Sequence, residues 1–69
     1  MTLAETFGRN VRSVRLAKAL TIEALATDVE VSYSYLGQIE RGSRNPSLAL
    51  VERIAASLDV DPVALLSQP

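Results

Sequence analysis

The chain predicts a compact all-α domain of five short helices, and three observations carry that expectation. Apolar residues recur at spacings of three and four, as in Leu3, Phe7, Val11 and Val14. Each apolar stripe follows a residue suited to a helix start: Thr2, Thr21, Ser32, Ser47 and Asp61. No strand signal competes with these helix patterns, and no segment repeats another or runs to low complexity. The chain has 69 residues, of which 48% are hydrophobic, so residues 1–69 fit one domain with one core. Connections of two to five residues would join the helices.

Taken in order, Thr2 and Glu5 fit a capping box, in which each side chain satisfies the other's backbone N–H. The first helix then runs to about Lys18. Gly8 lowers its helix propensity and points to close packing at that position. The second helix starts after Thr21 and turns Ile22, Leu25, Ala26 and Val29 inward, with Ala26 small enough to let a neighbouring helix approach. Glu30 falls at the turn, where a left-handed backbone is wanted and glycine would cost about 1 kcal/mol less. The third helix spans about Ser32 to Arg41, and Gly42 suits its left-handed end. Ser43 to Pro46 form a loop with a break at Asn45-Pro46. Ser47 caps a fourth helix with Leu48, Val51, Ile54, Ala55 and Leu58 on its inner face, and Leu50 beside that stripe. Asp61-Pro62 opens a fifth, containing Leu65 and Leu66, and Ser67 to Pro69 are expected to fray.

Composition excludes several kinds of chemistry. There is no cysteine and no histidine, so there is no disulfide, no thiolate metal site and none of the commonest general base. No glycine-rich phosphate cradle or nucleophile motif occurs, and Asp28 and Glu30 lie on a polar face without a partner base. An enzyme, a cofactor or a bound metal is therefore not expected, nor is a small-molecule ligand evident. No apolar run is long enough to span a membrane and no leader precedes the domain, which predicts a cytoplasmic protein. The net charge is -1, whereas nucleic-acid binders are usually basic. The distribution is uneven, however. Arg9, Arg12, Arg15 and Lys18 face a single acid, Glu5, in the first helix, and Arg41 and Arg44 flank Gly42, so one face can be basic while the whole is acidic.

The stretch from Thr21 to Gly42 reads as two short helices with a tight turn. At about 100° per residue, Leu36 and Ile39 of the third helix point one way, with Val31 leading in. Tyr33, Ser34, Gly37, Gln38 and Arg41 point the other way. Hydroxyls, an amide, a guanidinium and one glycine on an exposed helix face suit a groove of DNA. Gly37 is a poor choice for a solvated helix, and either a DNA strand or the second helix coming close would account for it.

In this order and spacing the chain resembles the Cro/repressor-type helix-turn-helix family, also called the XRE family. The residues that carry the resemblance are Leu20-Thr21, Leu25-Ala26, Val31-Ser32, Tyr35 to Gly42, Arg44 to Leu48 and Ile54-Ala55. The likeness runs from about Phe7 to Leu66. The stretch through Arg41, Ser43, Arg44 and Asn45 is also similar to the small controller proteins of restriction-modification systems. Two positions depart from the family pattern. Ile22 stands where a glutamine often touches the DNA backbone, and Glu30 stands where the turn often holds glycine.

The resemblance implies a lambda-repressor-like DNA-binding fold with the helix-turn-helix at about residues 21–42, the third helix entering the major groove. It implies a largely buried ion pair between Arg15 and Glu40 that orients the third helix; the alternative is that both are solvated. Tyr33, Ser34 and Gln38 match its base-contacting positions, and Gln38 can contact adenine at two points. Arg41, Ser43, Arg44 and Asn45 would contact phosphates, with Arg44 also able to reach a base or a narrowed minor groove, and Ser32 is a further DNA-binding candidate. Tyr35 is expected to be half-buried, with its hydroxyl able to reach a phosphate or a base at the groove edge, as in the controller-like proteins. Leu50, Val63 and Leu66 are candidate dimer contacts. The function so implied is that of a homodimeric, sequence-specific transcriptional regulator on a roughly palindromic double-stranded DNA operator. A different class stays open: a helical protein-interaction module, such as an antitoxin or an adaptor, that does not bind DNA itself. A steep loss of affinity with salt would mark the DNA binder.

Overall fold

The computed structural model describes residues 1–68. Five helices follow one another: α1 (Leu3–Ala17), α2 (Ile22–Val29), α3 (Tyr33–Glu40), α4 (Leu48–Leu58) and α5 (Pro62–Leu66). All five begin with a side-chain cap. Thr2, Thr21, Ser32 and Ser47 accept from the backbone N–H three residues on, Asp61 accepts from Val63, and Glu5 closes the capping box on Thr2. These bonds satisfy N–H groups that have no partner inside the helix.

The helices meet around one apolar cluster. Phe7, Val11, Leu25, Val29, Leu36, Ile39, Ile54, Leu58 and Leu65 are nearly or wholly inaccessible. α1 packs chiefly on α3 and α5, and α2 packs between α3 and α4. Ser57 of α4 donates to Asp28 of α2 at the edge of that layer. Truncating a residue as enclosed as Leu36 would cost about 2–5 kcal/mol.

Four chain reversals use a left-handed residue: Ala19, Glu30, Gly42 and Asp59. After each, the next residue's N–H returns to a carbonyl five positions back: Leu20 to Arg15, Val31 to Ala26, Ser43 to Gln38 and Val60 to Ala55. At three of them that next residue is apolar and packs against the core. Burial of Leu20, Val31 and Val60 offsets a non-glycine cost of about 1 kcal/mol per site. Gly42 differs because a Cβ there would lie 2.7 Å from Cγ and 2.9 Å from Cα of Glu5. The start of α1 passes directly over it, so glycine is demanded by space as well as by φ.

The structure corrects four details of the sequence reading. Leu3 and Leu48 are 60% and 76% exposed rather than in the core. Leu50 is buried, not beside the stripe, because it stands one turn before Ile54 and two before Leu58. Leu48, two residues earlier, points roughly 200° away from it. The connection between α3 and α4 takes the seven residues Arg41 to Ser47, longer than expected. Finally, Ser67 and Gln68 are tied down. Asn10 donates to the carbonyls of Leu65 and Ser67 at 2.9 and 2.8 Å, and Gln68 donates to the buried Thr6 hydroxyl at 2.8 Å. Pro69 lies outside the described residues.

Candidate nucleic-acid interface

The geometry of α3 follows from what grips its inner side. Leu36 and Ile39 are fully buried against α1 and α2. Gly8 of α1 lies against the end of α3, and a Cβ on it would stand 2.2 Å from the Ile39 carbonyl oxygen and 2.8 Å from that of Glu40. The glycine that weakens α1 as a helix lets two backbones meet.

The ion pair sits beside this contact. Arg15 Nε and Nη2 donate to the two carboxylate oxygens of Glu40 at 2.7 and 3.0 Å, and both residues are buried. The bond is a two-point fork, which fixes angle as well as distance. Arg15 Nη1 also donates to the Leu20 carbonyl at 2.9 Å, so one guanidinium joins α1, the turn into α2 and the end of α3. Hydrogen bonding to Glu40 raises the Arg15 pKa against the opposing effect of burial. Among the described residues this is the one salt bridge.

The opposite side of α3 faces outward. Tyr33, Ser34 and Arg41 are exposed, and Gly37 and Gln38 are half-buried. At the helix start, Ser32 accepts from the Tyr35 N–H at 3.0 Å, which leaves its own hydroxyl proton free to donate. At the helix end, the Ser43 hydroxyl donates to the Gln38 carbonyl at 3.1 Å. That proton is spent on capping α3, which speaks against the phosphate-donor role expected for Ser43. Arg44 and Asn45 are exposed on the following loop, and Tyr35 is half-buried against the core. Gly37 is not crowded. A Cβ there would lie 3.4 Å from Arg41 Nη1 and 3.8 Å from Ile22 Cδ1, ordinary contact in both cases. Packing against α2 therefore does not require the glycine.

Sequence reasoning missed one feature of this face. Arg44 Nε donates to Gln38 Oε1 at 2.7 Å, and the Arg44 guanidinium carbon lies 5.8 Å from the centre of the Tyr35 ring. The partners are six residues apart across a helix end, where no periodicity rule predicts contact.

The residues expected at a dimer surface separate. Leu50 is in the core, Val63 is exposed and Leu66 is half-buried. Leu66 instead lines an open apolar cleft with Leu3, Phe7, Pro46 and Leu48.

The comparisons with known proteins agree with this architecture. The family profile described as helix-turn-helix matches residues 11–65. Control protein C.BamHI of Bacillus amyloliquefaciens is 43% identical over 61 residues, which is 87% of this chain and 75% of that protein. The crystal structure of the restriction-modification controller protein C.AhdI from Aeromonas hydrophila superposes with a TM-score of 0.85 at 40% identity, over 90% of this chain and 94% of that one. The biofilm master regulator SinR, solved in complex with DNA, superposes with a TM-score of 0.83 at 35% identity, over 88% of this chain and 98% of that one.

Proposed function

The chain belongs to the helix-turn-helix family, and on that premise we propose that it is a sequence-specific DNA-binding transcriptional regulator acting as a homodimer. The observation that carries this reading is the outward polar face of α3, held in a set orientation by the Gly8 contact and the Arg15–Glu40 fork. A rigid helix can present a fixed pattern of donors and acceptors to base edges in the major groove. Tyr33, Ser34 and Gln38 read bases. Ser32, Arg41, Arg44 and Asn45 contact the backbone and set register. Ile22, in place of the polar residue often found there, contributes an apolar edge. SinR, captured with DNA, supports the same use of this fold.

The second copy docks on the apolar surface that the monomer leaves open. Leu3 and Leu48 are more than half exposed and line one apolar cleft with Leu66, and Val63 is exposed as well. A two-fold pair would read half-sites centred about 34–36 Å apart. Catalysis has no histidine or cysteine to draw on, and no metal or cofactor enters this reading. Among the described residues no helix is long and apolar enough to cross a membrane, and we place the protein in the cytoplasm with the DNA that it regulates.

Selection of duplexes from a random pool, followed by sequencing, tests the whole reading. A two-fold motif with that spacing is expected. Its affinity should fall steeply with salt, and Arg41→Ala should flatten the slope by about one unit. Recovery of no motif, or binding indifferent to salt, would favour a protein-interaction module instead.

A further inference from the structure

Gln38 and Arg44 are joined before any DNA arrives. Arginine carries only donors, so the amide atom facing Arg44 Nε has to be the oxygen of Gln38. That assigns the amide orientation: Oε1 toward the loop, and Nε2 with its two protons turned away from it. The guanidinium also lies over the Tyr35 ring, itself packed against the core. With Nε engaged, Arg44 still has both Nη groups for a second partner.

We propose that Gln38 and Arg44 read the operator as one unit, in which Arg44 fixes the Gln38 amide so that its donor side meets the base edge. Arg44 is then a positioning residue for specificity as well as a source of charge. A donor facing the major groove donates to a purine N7, guanine O6 or thymine O4, and finds no acceptor on cytosine, whose exposed group is itself a donor. Adenine stays compatible through its N7, which accepts from Gln38 Nε2 and which cytosine lacks. Without Arg44 the amide can turn over and accept from cytosine. The inference rests on the DNA-binding reading above.

The test uses the whole chain on its selected operator. The base under Gln38 is the position whose preference Gln38→Ala flattens. Each of the four bases is placed there, and binding is measured for the unaltered protein, Arg44→Ala, Arg44→Lys, Gln38→Ala and the double Gln38→Ala/Arg44→Ala variant. The unaltered protein should bind the cytosine operator on the order of tenfold more weakly than the best one. Arg44→Ala should shrink that ratio toward one. Arg44→Lys, which keeps the charge but not the planar fork, should shrink it equally while losing less overall affinity. The double variant should lose less than the product of the two single losses. In the free protein, the Gln38 side-chain amide resonances should shift in Arg44→Ala. Equal losses on all four bases with multiplying single effects, or unmoved amide resonances, would overturn the coupled unit and leave DNA binding intact. Failure of the unaltered protein to bind any selected duplex would overturn both. Both side chains lie at the surface, and an unchanged melting temperature in each variant confirms the fold.

Discussion

α3 carries an arginine pair on each side, and the two pairs do different work. Arg15 and Glu40 are buried and share two hydrogen bonds, so they fix the helix to the body of the domain. Arg44 and Gln38 lie toward solvent and share one, so they leave donors free for a partner. The glycines divide the same way. Gly8 exists because two backbones touch, whereas Gly37 has room for a methyl group and faces outward. The inner side is specified by the fold. The outer side contains residues that the fold does not ask for, and such residues are where a binding surface shows itself.

The largest expected effect lies on the inner side. Glu40→Ala strands the buried Arg15 guanidinium and should cost about 3–5 kcal/mol in urea unfolding, enough to unfold much of a domain this small. A loss under 1 kcal/mol would mean that the pair is solvated. Gly8→Ala should follow, at about 3 kcal/mol, because the added methyl meets the backbone of α3, which cannot rotate out of its way. Gly37→Ala should do the opposite. It should stabilise the fold by up to about 1 kcal/mol through helix propensity while weakening operator binding. Stabilisation with unchanged binding would show that DNA does not approach this position.

The smallest effect is electrostatic. Glu5 at the start of α1 has its pKa lowered chiefly by the hydrogen bond from the Thr2 backbone N–H, then by the Thr2 hydroxyl. Its ionised form therefore favours the folded state. That contribution is complete above the ordinary glutamate value of 4.5 and fades as pH falls through the lowered value. Glu5→Gln keeps an acceptor but cannot titrate. The stability difference between the two proteins should shrink as the solution is acidified below that point. A constant difference would remove the carboxylate from the account.

Much of the fold was legible from local rules. Five cap residues, the left-handed Gly42 and the inward Leu36 and Ile39 could each be read from a few neighbouring residues. The ends of helices were less legible. Leu3 and Leu48 satisfy the spacing of an apolar stripe yet project past the core, because a stripe does not say how far the neighbouring helix extends. Leu50 shows the converse, a residue placed outside the stripe that packing brings in. On the outward face, residue types were readable from helical period, but the Arg44–Gln38 bond was not. It depends on how the seven residues after α3 fold back over the helix end.

Sequence by itself determined where each helix begins, which side of α3 is apolar and that its other side is polar, because capping and helical period act within a few residues along the chain. Tertiary structure decided why Gly8 and Gly42 must be glycine, which leucines are buried, and which way the Gln38 amide faces. Those depend on atoms distant in sequence meeting at van der Waals or hydrogen-bond range, and only the packed arrangement of the helices sets such distances.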